Sequence, residues 1–110
     1  MINSLFVYGS LAPGQSNQHL LAELPGSWQP AHVQGRLEQL SRGAAKGYLA
    51  IELDDKADEV PGLLFCSKAL AGFWPRLDAF EGVAYRRVLT SARLENGSQV
   101  EAYVYEINRR

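Results

Sequence analysis

The Asn96-Gly97 pair lies between two long stretches of β-forming residues, and it constrains the fold more than any other feature of this sequence. Asn-Gly is the strongest short signal for a β-hairpin because both residues tolerate positive φ. Residues 85–95 and 99–107 are therefore predicted to be paired antiparallel strands. Neighbouring residues in these stretches are both apolar or aromatic, as in Tyr103-Val104-Tyr105. Strands covered on both faces are typical of a small closed or strongly curled sheet with a helix packed outside it.

Shorter β patterns occupy most of the chain before residue 68. Runs rich in β-formers predict strands at residues 5–8, 33–37, 47–53 and 60–67. Ser16 or Asn17 is predicted to cap a brief helix that carries three leucines and stops at Pro25-Gly26.

After residue 68 the apolar period becomes helical. One stripe is formed by Leu70, Phe73, Trp74, Leu77 and Phe80. Ser67 is the predicted N-cap, and Gly82 is expected to end the helix. Pro75 has no N–H for the helical ladder, so it should kink this helix or begin its second half.

Length and charge limit the functions that need to be considered. A chain of 110 residues fits a single domain, predicted over residues 1–110, and a net charge of −1 does not favour nucleic-acid binding. Residues 1–4 lack the basic flank and apolar run of a secretion signal, and no stretch approaches a membrane span, so a cytoplasmic protein is expected. One cysteine without a Cys/His set at metal spacing predicts neither a disulfide nor a metal cofactor.

Two segments carry the residues best suited to chemistry. Gly9, in the turn after the first strand, allows backbone N–H groups to approach a ligand carbonyl or carboxylate. Glu81 follows the apolar Phe80 at the C-terminal end of the predicted helix, where the helix dipole and partial burial both raise a carboxyl pKa. A raised pKa is what a carboxylate needs to exchange protons near neutral pH. Taken separately, neither the turn nor the glutamate indicates a functional site, because each is compatible with an ordinary structural role.

The order of motifs resembles the γ-glutamylcyclotransferase-like superfamily, above all the γ-glutamylamine cyclotransferases and the plant avirulence-induced proteins. The resemblance is carried by Phe-Val-Tyr-Gly-Ser-Leu near the amino end, by Leu-Asp-Ala-Phe-Glu-Gly-Val-Ala-Tyr-Arg-Arg-Val, and by a Tyr-Val-Tyr strand. It implies an α+β fold, a small mostly antiparallel β-barrel with a few short helices packed on it and a pocket at one barrel mouth. One departure is Leu49, where many relatives have proline, and it affects the loop expected to set the leaving-group preference.

The same resemblance assigns the site. It implies that Glu81 is the catalytic residue and that the substrate is held by Tyr8, Gly9, Ser10, Leu11, Tyr85 and Tyr105. The implied reaction is attack of the α-amine on the γ-carbonyl of a γ-glutamyl amine or peptide, which gives 5-oxoproline and a free amine. It requires no cofactor, and the expected partner is a small γ-glutamyl substrate, with the protein a monomer or small homo-oligomer.

Several alternatives remain at this point. The fold could serve as a non-catalytic module that binds a small metabolite, or as a purely structural interaction protein. Ser10 could act as a nucleophile, but neither His19 nor His32 forms a recognisable catalytic arrangement with it. Cys66 is interpreted as a small hydrophobic residue of the core. Arg86 and Arg87 could bind a carboxylate or line a solvated face. The last candidate is an acidic turn that contains Asp54, Asp55, Asp58 and Glu59. It is interpreted as a solvent-exposed turn, because it lacks the residue spacing of a calcium-binding loop.

Overall fold

The computed structural model describes residues 2–9, 19–40 and 48–108. The strands are β1 (Ser4–Val7), β2 (Ser27–Gln39), β3 (Leu49–Leu53), β4 (Glu59–Cys66), β5 (Tyr85–Leu94) and β6 (Gln99–Ile107). The helices are α1 (His19–Ala22) and α2 (Trp74–Glu81), with short 3₁₀ helices at Lys68–Gly72 and Gly82–Ala84. The residues predicted to cap α1, Ser16 and Asn17, lie outside the described residues.

The strands form a closed barrel, as expected. Five of them pair in a ring: β1 with β4, β4 with β2, β2 with β5, β5 with β6, and β6 with β1. The β1–β6 contact is parallel and the others are antiparallel, so the barrel is mixed. β3 pairs antiparallel with β2 and parallel with β6. It therefore connects β2 with β6, which the ring already joins through β5.

The hairpin predicted from Asn96-Gly97 joins β5 and β6, but its turn differs from the expected one. Gly97 has φ of +89°, whereas Asn96 does not adopt positive φ. The Gly97 amide donates to the Leu94 carbonyl at 3.0 Å, and the Leu94 amide donates to the Ser98 carbonyl at 2.8 Å. This geometry fits a type I turn followed by a left-handed glycine, which accommodates one more loop residue than the two-residue turn.

The predicted helix after Ser67 is divided into two parts. Ser67 caps the 3₁₀ helix Lys68–Gly72, with its side chain accepting from the Ala69 amide at 3.1 Å. Pro75 lies in the first turn of α2, where its missing N–H costs no helical hydrogen bond. The stripe is wrong at Phe80, which is 41% exposed although Trp74 and Leu77 of the same helix are buried.

Alternate residues of the strands supply two apolar clusters. One cluster fills the barrel and includes Phe6, Leu64 and Val104. The other packs with residues of the helices and includes Phe65 and Tyr105, the immediate neighbours of Leu64 and Val104. Since successive strand side chains point to opposite faces, the uninterrupted apolar pattern reflects coverage on both sides of the barrel wall.

Candidate active site

Glu81 is the last residue of α2, where the helix turns back toward the barrel. Leu77 is fully buried in the cluster beneath the helix and fixes the preceding turn. Gly82 follows with φ of +72° and ψ of −165°, a backbone conformation that side chains disfavour. Three residues later, Tyr85 begins β5. The fold thus holds Glu81 between a buried helical turn and the first residue of a barrel strand.

Burial raises the pKa of Glu81 to about 7. The direction agrees with the sequence-based expectation, although the cause is removal of the carboxylate from water. In the described part of the chain, no side chain forms an ion pair with Glu81, and none donates a hydrogen bond to its carboxylate. A carboxyl group with this pKa exists in both protonation states near neutral pH and so can both accept and return a proton.

Tyr8, directly after β1, is close enough to Glu81 for the two groups to interact electrostatically. Burial raises the pKa of Tyr8, and the charges of Tyr85 and Glu81 raise it further. Its hydroxyl donates to the Tyr105 carbonyl oxygen at 2.6 Å and accepts from the Ile51 amide at 3.1 Å. Tyr8 therefore connects β3 with β6.

Tyr85, the first residue of β5, also interacts electrostatically with Glu81. Burial raises its pKa to about 12, with further contributions from the charges of Glu81 and Tyr48. Its hydroxyl donates to the Leu49 carbonyl oxygen at 2.7 Å. Leu49 and Tyr48 are both exposed, so this hydrogen bond connects the site to the surface at the start of β3.

Tyr105, in β6, completes the group around Glu81. Burial raises its pKa, as do a hydrogen bond to Asp78 and the charges of Asp78 and Glu81. The Tyr105 hydroxyl donates to Asp78 Oδ1 at 2.7 Å. Arg87 binds the same carboxylate with two hydrogen bonds, from Nε at 2.9 Å and Nη2 at 3.2 Å.

Asp78 was not singled out by the sequence analysis, although a signal was present. It lies three residues before Glu81 on α2, and residues so spaced share a helix face. Burial acts to raise the pKa of Asp78, but hydrogen bonds from Arg87 and Tyr105 outweigh it and hold the pKa below its usual value. Asp78 is therefore an ionised neighbour of the candidate base.

The three tyrosines share one property that defines the chemistry of the site. A tyrosine hydroxyl has a single proton to donate, and Tyr8, Tyr85 and Tyr105 each donate it away from Glu81. Only their oxygen lone pairs remain available to a neighbouring group. Together with the Glu81 carboxylate they form a cluster of hydrogen-bond acceptors, which suits a ligand that supplies donors.

The structure describes only part of the predicted substrate loop. Gly9 is half-buried after Tyr8, and a side chain placed there would meet no described atom within 4 Å. Ser10 and Leu11 lie outside the described residues.

The other charged candidates are bound within the protein. Arg86 pairs with the buried Glu106 at 2.7 Å, and Arg87 pairs with Asp78. In the acidic turn, Asp54 pairs with Arg36 and Glu59 pairs with Arg93. Within residues 2–9, 19–40 and 48–108, no group of three His, Cys, Asp or Glu side chains has metal-binding geometry.

A separate depression of about 430 Å³ is lined by Gln34, Leu53, Asp54, Asp55, Thr90 and Ser91. It is open and includes none of the predicted site residues. Its size alone does not make it the better candidate, because the perturbed acid and its tyrosine neighbours lie elsewhere. None of the helices in the described ranges is long and apolar enough to cross a membrane.

The closed barrel, the external helix and the buried acid at its end define a class of small α+β barrel proteins. Residues 5–110 match the model of the family described as "Gamma-glutamyl cyclotransferase, AIG2-like". The chain belongs to this family. Comparison with curated proteins finds no match.

Solved structures of similar fold come from bacteria, animals and plants. YkqA from Bacillus subtilis is 25% identical with a TM-score of 0.73, and the match covers 98% of this chain and 36% of YkqA. An AIG2-like protein from Mus musculus is 22% identical with a TM-score of 0.70, covering 96% of this chain and 76% of that one. An Arabidopsis thaliana protein is 26% identical with a TM-score of 0.71, covering 96% and 68%. The chain thus spans little more than a third of YkqA.

Proposed function

We infer that this protein is a γ-glutamyl cyclotransferase-type enzyme, formally a lyase, that converts a γ-glutamyl amine or peptide into 5-oxoproline and a free amine. The family supports a small-molecule substrate and this general reaction. The observation that carries the assignment to this site is the cluster of acceptors around Glu81, whose pKa burial raises to about 7.

A substrate ammonium group complements that cluster. The α-ammonium of a γ-glutamyl compound has three N–H donors, while Glu81 and the surrounding tyrosine oxygens accept hydrogen bonds. A charged donor strengthens such hydrogen bonds. Its positive charge would also stabilise the ionised form of Glu81 and ready the carboxylate for proton transfer.

Proton transfer then starts the reaction. Glu81 takes one proton from the ammonium, and the resulting amine nitrogen attacks the γ-carbonyl carbon to close a five-membered ring. The bond between that carbon and the departing nitrogen breaks as Glu81 returns the proton to the leaving amine. The ring nitrogen then loses its second proton to the Glu81 carboxylate, which passes it to the free amine, so that the products are the neutral lactam and an ammonium ion. Since the nucleophile belongs to the substrate itself, holding the correct conformer is equivalent to an effective concentration of about 10⁵ M or more.

The turn after β1 supplies the second part of the proposal. Backbone N–H groups of Gly9, Ser10 and Leu11 hold an anion of the substrate, either its carboxylate or the oxyanion that develops during ring closure. Gly9 has no side chain to block a ligand from this backbone, and no atom in the described ranges comes within 4 Å of the position that a side chain would take. The side chains of Tyr8, Tyr85 and Tyr105 form the walls that fold the substrate.

Detection of 5-oxoproline by mass spectrometry tests the proposal directly. The protein and its Glu81→Gln variant are incubated with a panel of γ-glutamyl amines and peptides, with Glu101→Gln as a matched control at an exposed position of β6. Product is expected from the unchanged protein and the control but not from Glu81→Gln. Binding of panel members without product from any of the three would instead favour a non-catalytic metabolite-binding module.

A further inference from the structure

Three hydroxyl protons near Glu81 are directed away from it, but their acceptors differ. Tyr8 donates to the Tyr105 carbonyl oxygen, and Tyr85 donates to the Leu49 carbonyl oxygen. Both acceptors belong to the backbone and are fixed by strand pairing. Tyr105 alone donates to a side chain, the carboxylate of Asp78. The direction of this proton therefore depends on one replaceable residue.

The Asp78 carboxylate is itself held firmly in position. Arg87 binds it with two hydrogen bonds, and the Arg87 guanidinium lies 4.7 Å from the Trp74 ring centre and 4.6 Å from the Tyr103 ring centre. A guanidinium fixed on aromatic rings presents its two donors in a constant direction. It also neutralises the charge of Asp78 close to Glu81. Arg87 thus fixes the acceptor, and the acceptor fixes the Tyr105 hydroxyl.

We propose that Asp78 is a positioning residue that keeps the Tyr105 hydroxyl from donating a hydrogen bond to Glu81 and thereby preserves Glu81 as a proton acceptor. A hydrogen bond to the ionised carboxylate would stabilise that form and weaken it as a base. Without Asp78, the Tyr105 hydroxyl loses its acceptor and turns toward Glu81, which lies three residues further along the same face of α2. The catalytic consequence rests on the proposed function, whereas the proton-binding behaviour of Glu81 does not.

The other groups around Glu81 stay constant in this comparison. Tyr8 and Tyr85 keep their backbone acceptors when Asp78 is changed. Glu106, which interacts electrostatically with Tyr8, keeps its ion pair with Arg86. Tyr48 acts on the nearby Tyr85. The variable group is therefore the Tyr105 hydroxyl.

The test is a ¹³C NMR titration of the Glu81 side-chain carboxyl in the substrate-free protein, with the resonance identified from its loss in Glu81→Gln. Asp78→Ala and the double variant Asp78→Ala/Tyr105→Phe remove the same charge and differ only in the hydroxyl. The Glu81 midpoint is expected to lie about one pH unit lower in Asp78→Ala than in the double variant. Equal midpoints would overturn the proposal, since a merely structural role for Asp78 does not depend on the hydroxyl.

Milder variants keep the test decisive if Asp78→Ala does not fold. Tyr105→Phe alone should leave the Glu81 midpoint unchanged within a few tenths of a unit, because the hydroxyl is bound to Asp78. A clear upward shift in Tyr105→Phe would mean that the hydroxyl already donates to Glu81 and would refute the idea. Asp78→Asn, which lacks the charge but retains an acceptor oxygen for the hydroxyl, is expected to have the same midpoint as Asp78→Asn/Tyr105→Phe. These midpoints are measured without turnover, so an inactive protein would contradict the proposed function and leave this test intact.

Discussion

The Tyr8 hydroxyl bridges two strands by donating to the Tyr105 carbonyl of β6 and accepting from the Ile51 amide of β3. β3 and β6 run parallel at this point, where Ile51 is opposite Glu106. A side chain from the loop after β1 thus completes the hydrogen bonding between two other strands. The same residue interacts electrostatically with Glu81, so the strand pairing of the barrel and the candidate site share this side chain.

Replacement of Tyr8 by Phe is expected to destabilise the protein by about 1–3 kcal/mol, because a buried amide and a buried carbonyl lose their shared partner. Urea denaturation followed by circular dichroism measures the change. Tyr103→Phe is a suitable control, since the Tyr103 hydroxyl makes no hydrogen bond within the described part of the chain and its ring packs on Trp74. Equal stability of both variants would show that the bridge contributes nothing.

Stability should depend on pH through Glu81. Its pKa is about 7 in the folded protein and 4.5 without burial, so the folded state binds this proton more tightly. The resulting stabilisation is fully present below pH 4.5 and is lost as the pH rises through 7. Glu81→Gln carries no charge and escapes this loss. The stability of Glu81→Gln relative to the unchanged protein should therefore increase by roughly 3 kcal/mol between about pH 4 and pH 8.

Denaturation at both pH values gives this difference, and other titrating groups cancel in the comparison. Glu101→Gln, at an exposed position, supplies the control and should show no such trend. A Glu81→Gln effect that is constant with pH would contradict burial of the charge.

The rate of 5-oxoproline formation should also depend on the ionisation of Glu81. As the base in the first step, Glu81 must be deprotonated, so kcat/KM is expected to rise about tenfold per pH unit below a midpoint near 7 and to level off above it. Initial rates at substrate concentrations well below KM, between about pH 5 and pH 9, measure the profile. A flat profile through this interval would exclude Glu81 as the base in the rate-limiting step.

Gly82 is expected to be sensitive to substitution for a backbone reason. Its φ of +72° and ψ of −165° form a region that is essentially restricted to glycine, although a side chain there would meet no described atom within 4 Å. Gly82→Ala should cost about 1–3 kcal/mol and displace Glu81, which lowers the rate of cyclisation. Thermal denaturation and the 5-oxoproline assay measure the two effects.

Gly72→Ala is the matched control because Gly72 has equal open space without positive φ. It is expected to change stability by less than about 1 kcal/mol. If Gly72→Ala and Gly82→Ala behave alike, the conformation of Gly82 is not what limits substitution.

Local patterns in the sequence predicted the elements near the site. Asn96-Gly97 predicted the β5–β6 hairpin because a turn depends on the conformational preferences of a few adjacent residues. Pro75 marked the break before α2 for the same local reason. The position of Glu81 after the apolar Phe80, at the C-terminal end of a helix, predicted the upward direction of its pKa shift, although Phe80 itself is exposed. The resemblance to the family associated Glu81 with Tyr8, Tyr85 and Tyr105. The single-domain prediction and the roles of these residues stay predictions.

Tertiary structure decided the features that depend on distant partners. β2 begins at Ser27 rather than at residue 33, because Ser27 and the residues after it pair with β4, although Pro30 weakens the local strand pattern. The hydrogen bonds of Tyr105 and Arg87 to Asp78 likewise form only when β5 and β6 pack beneath α2. The sequence by itself thus determined the β5–β6 hairpin and the break before α2, since these follow from neighbouring residues. Only the closed barrel decided where each tyrosine proton points, because every acceptor comes from a distant part of the chain.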